Sequence, residues 1–218
     1  MKLVSLFLNR TFKAPLWLLF RLLYRLRIEG AERCPRRGGL LVVANHQSLF
    51  DPPLLGVALP RVLVYTPRAT LRRSRIYRLL TCGLDLEHVE REGRDVGAAR
   101  RMIERLRRGE VIALFPEQTR TQDGCLGRIT GGFHMLAAHA EVPVLPVLIE
   151  GAFEVWPRGR SRPRGRGRIR IRVGEPFEVK QMERGEAARR VEQALLELGA
   201  KARPAGTAVP VESAAVRD

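Results

Sequence analysis

Leu40-Leu41-Val42-Val43-Ala44-Asn45-His46-Gln47-Ser48-Leu49-Phe50-Asp51 is the stretch on which the reading of this chain turns. Five apolar residues in a row, entered through Gly38-Gly39, read as a short strand buried on both faces. His46 then emerges at the carboxyl end of that strand, where open α/β sheets place their chemistry. Asp51 follows five residues later, about 140° away on an ideal helix. The two side chains therefore meet only if the backbone bends between them, and Pro52-Pro53 favours such a bend. With that bend, Asp51 accepts the proton of one imidazole nitrogen and leaves the other as a general base. The same residues also allow a plainer arrangement, with His46 closing a turn and Asp51 opening a helix.

Outward from this stretch, apolar runs alternate with amphipathic ones. Strands are expected at 62–65, 111–115 and 144–149, with a half-exposed strand at 168–173 where Arg and Ile alternate. Pro146 lies inside the fourth run, which points to an edge or bulge position there. Helices are expected from Pro15 through Arg27, at 54–59 and from an Asp95 N-cap to Gly109 with Val96, Ala99, Ile103 and Leu106 inward. Two more are expected from Gly131-Gly132 to about Ala140, and at 186–198 with Val191, Leu195 and Leu198 inward and Gly199 as stop. The basic segment 67–80 reads as a solvated helix face. Five arginines among Gly, Pro and Ser make 157–167 a mobile basic loop. The pattern is that of an α/β fold: a single domain with a largely parallel central sheet flanked by helices.

The chain of 218 residues carries a net charge of +16, with Lys2, Lys13, Lys180 and Lys201 as its lysines and arginine supplying the other basic side chains. Such an excess calls for an anionic partner: lipid, nucleic acid or a phosphorylated substrate. The arginines lack the aromatic interleaving of an RNA-binding surface, so no nucleic acid is expected. Cys34, Cys82 and Cys125 are far apart and imply neither a disulfide framework nor a metal site, in keeping with a reducing compartment. Residues 1–28 are the most lipophilic part. Arg21 and Arg25 fall four apart beside a broad Leu, Phe and Trp face, and Trp17 and Tyr24 suit a membrane interface. Arg21 breaks the run short of the roughly 20 residues a span requires, so an N-terminal amphipathic helical anchor precedes the domain. Residues 200–218 read as a disordered tail.

Four stretches in order, Asn45-His46-x4-Asp51, Arg91, Phe115-Pro116-Glu117-x-Thr119-Arg120 and Val142-Pro143-Val144-x-Pro146-Val147, resemble the blocks of the glycerophosphate/lysophosphatidic acid acyltransferase family. The resemblance covers about residues 28 to 180 and implies an acyltransferase domain at 29–199. It implies an O-acyltransferase of phospholipid biosynthesis. A fatty acyl group would pass from a thioester of coenzyme A or acyl carrier protein to a lysophospholipid hydroxyl, 1-acylglycerol-3-phosphate being the default acceptor. It implies a monotopic enzyme on the cytoplasmic face of the cell membrane, with no metal, no cofactor beyond the thioester co-substrate and no acyl-enzyme intermediate. His46 would be the general base and Asp51 its orienting acid. Arg91 and Arg120 would hold the acceptor's phosphate, with Glu117, Gln118 and Thr119 in the acceptor turn.

Two departures bear on the acceptor. Gln118 stands where the family has Gly, so either the turn differs or the amide itself touches the acceptor. Ile129-Thr130 stands where members often carry Phe-Lys, which removes one phosphate contact. Another lysolipid acceptor, and a non-catalytic protein that binds anionic membranes, are the competing readings. His88, His134 and His139 join no motif.

Overall fold

The computed structural model describes residues 2–66, 85–86 and 96–203. Among the described residues its sheet has seven strands: β1 (Arg27–Glu29), β2 (Leu40–Ala44), β3 (Leu63–Tyr65), β4 (Asp85–Leu86), β5 (Val111–Leu114), β6 (Val144–Glu150) and β7 (Arg170–Val173). They lie in the order β1-β7-β6-β2-β5-β3-β4. Every neighbouring pair is parallel except β6 with β7. The described helices are α1 (Lys2–Tyr24), α2 (Asp51–Ala58), α3 (Val96–Arg107), α4 (Gly132–Ala140), α5 (Ala152–Val155) and α6 (Arg184–Glu197).

β2 shows why a continuous apolar run is required. Leu40, Val42 and Ala44 point into one core with Phe20, Leu54 and Leu145, while Leu41 and Val43 point into another with Met102, Leu136 and Val191. A strand at the centre of a sheet covered on both faces has no solvent side. α1, α2 and α5 supply the first core; α3, α4 and α6 supply the second.

Several expectations change. Pro146 is not at an edge, because β6 lies between β7 and β2 and Pro146 pairs with Val43. Its missing N–H falls where the β7 ladder ends: the Gly174 N–H donates to the Pro146 carbonyl, and the next bridge joins Val144 to Phe177. Three steps on one side match two on the other, so the partner segment carries a one-residue bulge beside the proline. Pro15 falls inside α1 rather than opening it. α1 stops at Tyr24, and Arg25 takes φ 47, so Arg21 and Arg25 do not share a helical stripe. Tyr24 is buried with Phe20 against Phe50, not placed at an interface, whereas Trp17 stays 43% exposed. On α3 the expected Leu106 is buried and Ala99 and Ile103 pack partly buried against the core, but Ala98 and Met102 join the inward face and Val96 is 66% exposed.

The expected mobile loop is tied down: the Trp156 indole donates to the Arg160 carbonyl, Arg164 N–H to Val155, and Gly167 N–H to Leu23. Residues 200–203, expected to belong to a disordered tail, are tied down: the Leu126 N–H donates to the Lys201 carbonyl and Arg203 pairs with Asp123 at 3.3 Å. The three-residue edge strand β1, not anticipated from so short a run, pairs with β7. Segment 67–80, the Asp95 cap, Cys82, His88, Arg91 and residues 204–218 lie outside the described residues.

Candidate active site

β2 delivers Asn45 and His46 at its carboxyl end. The Asn45 amide bonds Ile149 twice, donating to its carbonyl at 2.9 Å and accepting from its N–H at 2.7 Å, which locks the ends of β2 and β6 together. The chain then turns: Asp51 N–H donates to the Ser48 carbonyl and Phe50 N–H to the Ser48 hydroxyl, before α2 begins at Asp51. Pro52 in the first helical turn costs no hydrogen bond, because its N–H would have had no intrahelical partner. Phe50 wedges between Phe20 and Trp156 at ring distances of 5.2 and 4.9 Å and pins this turn to the core. The bend brings the expected pair together, with His46 Nδ1 2.7 Å from Asp51 Oδ2. A carboxylate has no proton to give, so Nδ1–H donates and Nε2 keeps its lone pair. Among the described residues nothing bonds Nε2.

Asp51 is fully buried, and its Oδ2 also accepts the backbone N–H groups of Gln47 at 2.6 Å and Ser48 at 2.8 Å. One oxygen thus fixes both the turn and the imidazole. The Ser48 hydroxyl donates to the Trp156 carbonyl, which keeps it out of any nucleophilic role. The His46 ring stacks on Phe115, at 4.2 Å between centroids and 18° between planes.

Glu117 does something the sequence did not suggest. Its two oxygens accept the N–H of His46 and of Gly127, each at 2.7 Å, so it braces the histidine turn. A Cβ at Gly127 would lie 2.5 Å from that carboxylate and would displace it from its present place. Burial pushes the Glu117 carboxyl up to about 7; the two N–H donors and Arg203 oppose the rise, and Asp51 adds to it. An acid whose folded value is raised destabilises the folded state as it ionises. The penalty is absent below its ordinary value of 4.5, grows as pH rises, and is complete above about 7. Stability should therefore fall over that window by a contribution on the order of 3 kcal/mol, read as a falling melting temperature. Glu117→Gln should flatten this slope; an equally steep slope in the variant would assign the pH dependence to other groups.

The next residues form the opposite wall. Gln118 adopts φ 62, so the turn keeps a positive φ although the residue is not glycine; the expectation of a different turn is corrected. Its amide donates to Thr130 Oγ1 at 3.2 Å, and Thr130 in turn donates to the Pro116 carbonyl, which holds the unfavourable backbone in place. Arg120 is half-buried and meets no described carboxylate at ion-pair distance. Burial and the neighbouring Arg158 charge hold its guanidinium below its ordinary value, while Asp51 draws it up. Arg158, from the loop after α5, donates to Thr119 Oγ1 at 3.4 Å. Arg120 and Arg158 thus form a cationic pair, the first of them within the field of Asp51. The sequence held no signal for this, because Arg158 reads as one of a run of alternating arginines.

A family model described as Acyltransferase matches residues 25–150, more than half of the chain, and takes in Asn45, His46, Asp51, Phe115 and Glu117 to Arg120 but not Arg158. The chain belongs to the acyltransferase family. Among relatives, a chloroplast 1-acyl-sn-glycerol-3-phosphate acyltransferase of Arabidopsis thaliana is 29% identical over 62% of this chain and 39% of its own length. A probable 1-acyl-sn-glycerol-3-phosphate acyltransferase of Mycoplasma genitalium is 32% identical over 52% of this chain and 44% of its own. The chain therefore spans well under two thirds of these relatives. The crystal structure of the 1-acyl-sn-glycerophosphate acyltransferase PlsC from Thermotoga maritima superposes with TM-score 0.71 at 29% identity, covering 90% of this chain and 79% of that one. Within this acyltransferase fold, the first, third and fourth motif blocks lie side by side on β2, after β5 and on β6. Arg91, from the second, lies outside the described residues.

Proposed function

We propose that this chain transfers a fatty acyl group from a thioester of coenzyme A or acyl carrier protein to the hydroxyl of a lysolipid carrying a phosphate, 1-acylglycerol-3-phosphate first. The observation that carries the reading is the 2.7 Å His46–Asp51 bond beside the guanidinium of Arg120. His46 Nε2 takes the acceptor's hydroxyl proton as that oxygen bonds the thioester carbonyl carbon. Asp51 stabilises the imidazolium that results. The tetrahedral adduct then collapses, the carbon–sulfur bond breaks, and the imidazolium returns its proton to the departing thiolate. Arg120 and Arg158 hold the phosphate, the second in place of the cation lost at Ile129-Thr130. Gln118 and Thr119 line the acceptor turn, and Arg91 is a further phosphate ligand. The exposed Trp17, Leu18, Leu19, Leu22 and Leu23 of α1 lie in the membrane interface on the cytoplasmic side. Among the described residues no helix is long and apolar enough to cross a membrane.

Arg120→Ala and Arg158→Ala should each raise the KM for lysophosphatidic acid about tenfold or more, the usual size of a charge-assisted contact, and leave the donor KM unchanged. Monoacylglycerol, which lacks the phosphate, should be a poor acceptor in all three proteins. Equal use of both lipids by the wild type, or an unmoved acceptor KM, would remove the phosphate from the proposal.

A further inference from the structure

A cleft of about 350 Å³ opens where the end of α1 meets the β1 and β7 edge of the sheet, lined by Arg25, Arg27, Arg168 and Arg170 together with Glu150 and Gly151. Its size falls within the roughly 300–1,000 Å³ of ligand sites. Four guanidiniums face one carboxylate there, and that carboxylate is engaged: Glu150 lies 3.3 Å from Arg172. Arg170 is 3.5 Å from Glu29. Arg25, Arg27 and Arg168 meet no carboxylate at ion-pair distance among the described residues. Like charges gathered on one concave surface repel one another, and an anion between them relieves the repulsion.

The backbone that shapes the cleft is specialised. Arg25 holds φ 47, a conformation that arginine adopts only under constraint from its surroundings. Gly151 holds φ 81, and a Cβ on it would lie 1.9 Å from the Arg168 carbonyl oxygen, so only glycine lets Arg168 come this close. The Leu23 and Tyr24 carbonyls accept from the N–H groups of Gly167 and Ile169 on either side of Arg168. Leu23, 40% exposed, is thus joined through its backbone to the segment that lines the cleft, and Leu22, 70% exposed, precedes it on α1.

We infer that this cleft binds the phosphate headgroup of an anionic phospholipid in the bilayer, while the adjoining leucines enter its apolar layer. It is not the acceptor's phosphate site. At about 4.8 Å per strand, β7 and β1 lie roughly 10 to 14 Å across the sheet from β2, beyond the reach of a phosphate whose glycerol hydroxyl is at His46. Because β6 runs parallel to β2, Glu150 and His46 leave the sheet at the same end. A headgroup held in the cleft therefore turns the carboxyl end of the sheet, and His46 with it, toward the membrane. The acceptor lipid resides there if the proposed reaction is correct.

The test uses the full chain and three variants. Arg27→Ala with Arg168→Ala empties the cleft of two cations. Arg160→Ala with Arg162→Ala removes the same charge from the neighbouring loop. Leu22→Asn weakens the apolar contact alone. Flotation with phosphatidylglycerol vesicles should show the first pair losing about tenfold or more in affinity, the second pair much less. Dihexanoyl-phosphatidylglycerol below its micelle concentration should raise the melting temperature of wild type, of the loop pair and of Leu22→Asn, but not of the cleft pair. Leu22→Asn should still lose vesicle affinity. Neither assay contains thioester or lysolipid, so its failure is distinct from failure of the proposed reaction. Equal losses by the two arginine pairs would reduce the cleft to part of a diffuse basic surface. Inorganic phosphate raising the melting temperature as much as the short-chain lipid would make it a free-phosphate site. Either result overturns the inference.

Discussion

Replacing His46 with alanine is expected to leave a folded protein whose kcat is lower by about 10²- to 10⁴-fold, the usual contribution of a general base. The fold should survive because the side chain is 20% exposed and its contacts are one hydrogen bond and one stacked ring. Asp51 Oδ2 keeps its two backbone donors when the imidazole is gone, so its buried charge is not left bare. Circular dichroism and melting temperature check the fold, and thiol release checks the rate. Turnover near the wild-type level in a folded His46→Ala protein would remove the base from the mechanism.

Asp51 should separate into two effects that His46 does not combine. In Asp51→Asn the amide oxygen can still receive the Gln47 and Ser48 N–H groups, so the turn persists. The negative charge that stabilises the imidazolium is lost, and a drop in kcat of about 10³- to 10⁴-fold follows by analogy with the buried acid of hydrolase triads. The acceptor KM should hardly move, because Asp51 acts through His46 and touches no lipid. Asp51→Ala should be worse for the fold. It strands two buried N–H donors at roughly 1–3 kcal/mol each, in a domain whose total stability is typically about 5–15 kcal/mol. A marked fall in melting temperature for alanine and little for asparagine is the expected result. Equal kcat in Asp51→Asn and wild type would mean that the carboxylate serves only the turn.

Much of this arrangement was legible in the residues because it rests on local rules. A central strand must be apolar on both faces, and residues 40–44 announced that in one run. Gly131 and Gly199 marked the start of α4 and the end of α6 as glycines at helix ends often do. The bend joining His46 to Asp51 was one of two arrangements that their spacing and Pro52-Pro53 allowed, and the 2.7 Å contact selects it. What escaped depended on contacts between distant segments. Glu117 reaches the His46 and Gly127 N–H groups across separate turns, and nothing in its neighbours in sequence points to them. Pro146 was drawn toward an edge because a proline lacks a donor; the bulge before Phe177 accommodates that loss inside the sheet. Tyr24 read as an interfacial aromatic because its burial depends on Phe50, which lies 26 residues further along. Gln118 in a left-handed turn went against propensity, and the Thr130 hydroxyl that supports it is likewise remote in sequence.

The central claim is direct transfer, with His46 activating the lipid hydroxyl and no acyl group resting on the protein. It is tested most directly by mixing the full chain, at a concentration comparable to the acyl thioester, with and without lysophosphatidic acid and following thiol release through the first turnover. The account predicts acceptor-dependent release, one thiol for each diacyl product, with no early burst when the lysolipid is withheld. A burst of one thiol per protein molecule without acceptor, or no dependence on lysophosphatidic acid at all, would contradict it.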